Sequence, residues 1–284
     1  MARHFAASAF TLKVVAIAGM TCNHVANVFA AQLPGWCVAL LCTFGGLTFP
    51  IMAFLLNEGY RHTSDVRRYA IRLGGFALVS QIPYSLLWGA TANVLVTLLI
   101  GLGLLWADDH LRNRMAYGAI VVAAVVASSF CDWGIIGPIM IMLFHGLRNR
   151  PHGVVIAMLV PLLALGLPAA QWAVEEASAA AGGAEPTITE QLMGTTRSEA
   201  AIGELAVESP EAADLNPQST RTVDDAAPLA ASLGTLGYYT IGFGIATALM
   251  ASYRGRRGRP LKWFFYVYYP GHLFALWALS TALC

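Results

Sequence analysis

The sequence predicts an all-α protein, a polytopic membrane bundle of about nine transmembrane helices. Composition is the first reason. Of 284 residues, 57% are hydrophobic and only 12% are charged, about half the ~25% charge usual in a soluble domain. Mean hydropathy is +0.61. Patterning is the second reason: long apolar runs alternate with short charged knots, and roughly 17–25 mostly apolar residues make a helix that crosses about 30 Å of hydrocarbon. Backbone chemistry is the third. In lipid every N–H and C=O must be satisfied within its own segment or in a closed barrel, and continuous rather than alternating runs select helices. The net charge of +1 supplies no basic field for nucleic acid.

The expected spans run from about Phe10 to Ala31, Trp36 to Leu56, Ile71 to Trp88, Asn93 to Trp106 and Met115 to Cys131. They continue from Trp133 to Leu147, Gly153 to Trp172, Leu233 to Tyr253 and Lys262 to Leu283. The fourth and sixth are short. Val28-Phe29-Ala30 loosely resembles a signal-cleavage site, but Thr21, Cys22, Asn23 and His24 break the apolar region before it, so the segment is read as a retained first helix. With the N-terminus cytoplasmic, 15 of the 17 Lys and Arg fall on the inner side. Merging the fifth and sixth spans would send Arg148, Arg150 and the basic residues at 254–262 outside, so the two stay separate.

Residues 174–232 differ in kind. From Glu175 to Asp225 they hold 11 of the 16 acids, among Ala, Ser, Thr, Gly and Pro, a composition that predicts disorder. The domain plan is a membrane domain over 1–173, an acidic extracytoplasmic insertion over 174–232, and a second membrane domain over 233–284. The chain is expected in the plasma (inner) membrane, with the lipid bilayer as its first partner and its C-terminus outside. The five cysteines show no CxxC or ligand-like spacing.

Ionisable groups inside a membrane are costly, which makes each a functional candidate. His24 lies about 16 Å above Lys13 at about 1.5 Å per residue, so it is a helix-contact histidine or a reactive one. His272 is similarly deep in the last span, after Tyr268-Tyr269-Pro270, and could face His24. Asp132 starts the sixth span and reads as a helix cap or a reactive carboxylate. Glu58 and His62 share one helix face at the inner boundary, with Arg67, Arg68 and Arg72 next. Guanidinium forks fit phosphates, although arginines also fix topology. Asn93 and Thr97, one turn apart, read as packing on pattern alone. His145 and His152 read as interfacial or solvated. No metal-ligand spacing, Walker loop, GxSxG or dinucleotide fingerprint is present.

Several blocks in order resemble the TraX family, integral-membrane acetylases of conjugative pilins. They are Leu12-Lys13 through Asn23-His24; Phe49-Pro50 through Glu58-Gly59 with His62-Thr63; Tyr69, Arg72-Leu73, Ser80 and Ile82-Pro83; and Asn93-Val94 through Thr97-Leu98 with Gly101. Asp132 to Gly137 and Tyr268 to Leu273 extend the likeness, and the acidic segment lies outside it. The family usually shows Asp-His at Asn23-His24 and often an acid at Gln81. The resemblance implies transfer of acetyl from cytosolic acetyl-CoA to an extracytoplasmic acceptor, a pilin-like protein or a glycan. His24 would act as base or nucleophile with Asp132 and His272. Glu58, His62, Arg68 and Arg72 would hold CoA, and Asn93 and Thr97 would polarise the thioester. Two other classes remain: a transporter, which often shows internal repeats not evident here, and a catalytically silent assembly factor.

Overall fold

The computed structural model describes residues 6–182, 226–259 and 262–283. Within them the chain is an all-α helical bundle without a named strand; one isolated bridge pairs Ala92 with Cys131. The helices are α1 (Ala9–Val28), α2 (Gly35–Gly45), α3 (Thr48–His62), α4 (Val66–Trp88), α5 (Val94–His110), α6 (Arg114–Ser128) and α7 (Ile136–Leu147). There follow α8 (Gly153–Gly182), α9 (Ala226–Gly237), a π-helical turn (Tyr238–Gly242), α10 (Phe243–Ala251) and α11 (Lys262–Leu283). Among the described residues, four stretches are long and apolar enough to cross a membrane: Ala9–Val28, Gly35–His62, Gly153–Ser178 and Leu229–Ala251.

The distribution of side chains is that of a membrane protein. On α4 the exposed residues are Ile71, Leu78, Val79, Ile82 and Leu86, while Ser80 is fully buried. Helix ends are set by local chemistry. Ser8, Asp65, Asn93 and Asn113 each accept a hydrogen bond from a first-turn amide of α1, α4, α5 and α6, removing one of the donors a helix start leaves unpaired.

Two expected spans are locally irregular rather than uniform α-helix. The second divides into α2 and α3 at Gly46-Leu47, and the eighth divides into α9 and α10 at the π-helical turn. The two irregularities meet. A Cβ at Gly46 would run into the Tyr238 carbonyl oxygen, and one at Gly242 into the Thr43 carbonyl and Gly46 itself. Helices in lipid gain little from hydrophobic contact, so small residues that let backbones touch decide where they pack.

The expected limits of the acidic insertion shift inward. Helix α8 continues through Glu175 and Glu176 to Gly182, and α9 begins at Ala226. The expectation of disorder falls mostly on residues 183–225, outside the described residues. Cys22, Cys37, Cys42 and Cys131 form no disulfide with one another.

Several basic connections gather at one end of the bundle. The Ala9 and Phe10 amides that open α1 donate to the Arg256 and Arg257 carbonyls at 2.8 and 3.2 Å, which ties the 254–259 loop to the start of the chain's first helix.

The glycine crossing gives a test with a sign. Gly46→Ala should lower the thermal midpoint in detergent, because overpacking a tight contact costs about 1–3 kcal/mol. Gly75→Ala, where a Cβ meets open space, should leave the midpoint unchanged or raise it, as alanine suits a helix better than glycine. Equal midpoints for the two variants would refute the close crossing.

Candidate functional site

The centre of the site is a contact between the first and last helices. His24 on α1 and His272 on α11 are 5% and 9% exposed. Their rings lie edge to edge in nearly one plane, with centroids 5.1 Å apart and planes 8° from parallel, and His24 Nδ1 lies 2.8 Å from His272 Nε2. The chain of donors has one solution for two neutral imidazoles. His272 Nδ1 lies 3.0 Å from the Tyr268 carbonyl oxygen, which only accepts, so Nδ1 carries the proton. His272 Nε2 is then a lone pair and His24 Nδ1 donates to it. The remaining nitrogen, His24 Nε2, is then an unprotonated acceptor. Trp88 packs on the His24 ring with centroids 4.8 Å apart.

A second polar contact holds the same two helices. The Thr21 hydroxyl donates to the Ile17 carbonyl at 2.9 Å, so the Tyr268 phenol donates to Thr21 Oγ1 at 2.7 Å. Thr21 is three residues before His24 and Tyr268 four before His272. Both members of each helix's pair therefore sit on one face.

Toward the basic end of the bundle lies a cavity of about 520 Å³, lined by α1, α3, α4, α5, α11 and the 253–259 loop. Lys13, Arg72, Arg257 and Arg259 line it together with Glu58 and His62. Arg72 lies over the Tyr69 ring at 5.8 Å, and its buried Nε has no hydrogen-bond partner among the described residues. Apolar walls of Ile17, Met52, Leu95 and Leu98 lead inward to Met20 and Tyr269. Met20 is one turn before His24, and the Tyr269 ring lies 6.5 Å from His24 and 5.6 Å from His272. The cavity thus has cations at one end and ends beside the histidine pair at the other.

The expected site residues separate into three groups. His24 and His272 come together. Glu58, His62 and Arg72 share the cavity, where Glu58 also pairs with Arg61 at 2.9 Å. The others stand elsewhere. Arg68 does not line the cavity; it folds back onto the α4 cap, its Nε 2.9 Å from Asp65, with 80% of its side chain exposed. Asn93 has no amide hydrogen to give a thioester: Nδ2 donates to the Ala77 carbonyl and to Gln81 Oε1, both at 2.8 Å, and Oδ1 caps Leu95 N. Thr97 is fully buried against Gly137 of α7. Asp132 sits on the loop before α7, its amide bonded to the Ala92 carbonyl at 2.8 Å, and His24 takes its ring partner from α11 instead. Lys13, Arg257, Arg259, Tyr69 and Tyr269 were not expected as site residues. The basic ones read as topology signals, and only their convergence on one cavity distinguishes them.

The family model described as TraX protein matches residues 8–203. The chain belongs to the TraX family. It is also 32% identical, across 48% of its length, to "Probable fimbrial assembly protein FimC, serogroup H1" of Dichelobacter nodosus, of which the match spans 60%. No solved structure matches. The TraX match takes in α1 to α8 and the first part of the acidic segment. It therefore holds His24 and most cavity residues, and it stops before α11, so the likeness noted around Tyr268 to Leu273 falls outside it.

The proton arrangement can be read directly. With ¹⁵N-labelled histidine, magnetic resonance should show both rings as the neutral Nδ1–H form, with a coupling across the His24–His272 hydrogen bond. A His24 ring protonated only at Nε2 would refute the assignment.

Proposed function

We propose that this TraX-family protein is a membrane acetyltransferase of pilus or fimbria assembly, moving acetyl from acetyl-CoA to the N-terminal amine of a pilin-like acceptor. The observation that carries the reading is the course of the cavity, from four cationic side chains to the wall beside His24 and His272. Its volume lies in the range of roughly 300–1,000 Å³ typical of small-molecule sites. The relative's printed name, a fimbrial assembly protein, supports the acceptor class.

In this reading the basic end is cytosolic, in line with the inward bias of Lys and Arg. Arg72, Arg257, Arg259 and Lys13 hold the CoA phosphates, for which guanidinium geometry is suited, and the pantetheine arm follows the apolar wall. Rotation of Tyr269 admits the thioester to His24. The acceptor amine attacks the acetyl carbonyl carbon, and His24 Nε2 takes the proton the amine loses. The tetrahedral adduct collapses, the C–S bond breaks, and the departing thiolate takes that proton from His24. Products are the acetylated amine and CoA. While His24 is protonated, its Nδ1–H remains bonded to His272, which holds the ring in place. A purely scaffolding role shares the relative's name but gives no use to the cavity or to the unprotonated His24 nitrogen.

Purified protein in detergent with radiolabelled acetyl-CoA and a pilin-derived peptide decides the matter. His24→Ala should cut turnover about 10²–10⁴-fold, the usual contribution of a general base. Arg72→Ala should weaken acetyl-CoA binding about tenfold or more, as expected for a charge-assisted hydrogen bond, and Arg68→Ala should leave binding unchanged. A native chain that binds no acetyl-CoA would sink the proposal.

A further inference from the structure

A second cluster lies behind the cavity, on residues that carry no part of the proposed transfer. Asp108 and Asp109 end α5, and His145 ends α7. One ligand atom from each lies within 4.8 Å of the other two. We propose that these three side chains form a site for one divalent ion of the zinc type, cross-linking the ends of α5 and α7.

The distances favour an ion over a hydrogen bond. His145 Nε2 is 3.6 Å from Asp108 Oδ2 and 3.5 Å from Asp109 Oδ1. A charged imidazole between two carboxylates would draw one of them to about 2.7–2.9 Å. Ligand atoms each about 2.0–2.2 Å from one tetrahedral ion instead stand roughly 3.4 Å apart. His145 is 3% exposed, and neither ring nitrogen makes a hydrogen bond of ordinary length; Nδ1 is buried without a partner. The case for a ligand rests on Nε2, a buried nitrogen that faces two carboxylates at more than ordinary hydrogen-bond length; Nδ1, turned away from them, would carry the ring proton.

The carboxylates are also oriented from behind. Asp109 Oδ2 accepts from the Tyr60 phenol at 2.8 Å, and Asp108 Oδ1 faces Arg114 at 3.9 Å. Each acid therefore engages a neighbour with one oxygen and turns the other toward His145, which is how outer partners orient metal ligands. Arg148, whose guanidinium donates to the His145 carbonyl at 2.7 Å, is the other cation nearby. Two anionic ligands and one neutral nitrogen suit zinc or a similar borderline ion. Calcium and magnesium prefer all-oxygen shells. Three protein ligands leave a fourth position for water. Tyr60 follows Gly59 of the cavity wall, so an ion here would steady the last turn of α3 as well.

The test uses the tag-free full chain in detergent, stripped with chelator, then loaded with Zn²⁺ and passed over a desalting column. Metal content and thermal midpoint are both read. About one equivalent should remain bound and the midpoint should rise, as for any ligand that binds only the folded state. Asp109→Asn, at a partly exposed position, should lose both effects while keeping the apo midpoint. His145→Gln should lose them too. A native chain that retains no metal would overturn the proposal, as would an Asp109→Asn variant that retains it undiminished. An equal midpoint rise with Ca²⁺ would overturn the choice of ion and reduce the cluster to a charge network. Acetyl transfer enters none of these readouts, so this proposal and the preceding one fail separately.

Discussion

The hydrogen bond between His24 and His272 fixes more of this molecule than its own two side chains. Helices in lipid have no hydrophobic force to set their rotation, so packing and the few polar contacts between them do so. Here the histidine pair and the Thr21–Tyr268 contact lie on matching faces of α1 and α11, about one turn apart. Together they set the rotation and height of α11 against α1. That setting places Tyr269 opposite Met20 and so forms the end wall of the cavity. The other end depends on α1 as well, because the amides of its first turn hold the loop that brings Arg257 and Arg259 to the cavity.

The α4–α5 connection shows the same economy with different chemistry. Gln81 donates to Ser85 and to the Thr91 carbonyl, and its oxygen accepts from both the backbone and side-chain nitrogens of Asn93. An amide can give and take at once, which this turn requires. An acid at position 81 could take from Asn93 but, when ionised, could not give to Thr91. Asn93 is thereby spent on architecture. It positions Leu95 and Leu98, on the same helix, as cavity wall.

Much of the fold was legible because hydropathy and charge act over whole segments. The nine apolar segments appear as helical segments in the expected order, and the facing of His24 and His272 followed from their similar depth. The irregularities in the second and eighth segments were not legible. Gly45-Gly46 and Tyr238 to Gly242 keep the apolar run intact, and the irregularity arises only where the two backbones meet. Arg68 and Arg72 look equivalent at four-residue spacing, yet Asp65, three residues before Arg68, captures it locally. The pairing of Asp108 and Asp109 with His145 joins helices more than thirty residues apart, and no spacing rule on a single helix reports it.

Asn23, where the resemblance implies an aspartate, has a physical reading that depends on direction. Neighbouring residues on a helix point about 100° apart, and here Asn23 packs against Gly45 of α2 while His24 turns to α11. An aspartate at 23 in this arrangement would meet Gly45, not the imidazole. The ring is oriented by His272, and the difference matters electrostatically. A carboxylate partner would add a buried negative charge, costly in low dielectric unless fully paired, and would in return stabilise an imidazolium strongly. Two neutral imidazoles carry no net charge into the bundle and end on the Tyr268 carbonyl, a dipole rather than an ion. His24 is thus held in one orientation with Nε2 left as the acceptor. In the proposed transfer His24 would take a proton from the acceptor amine and give it up to the departing thiolate, and one fixed ring orientation would serve both steps.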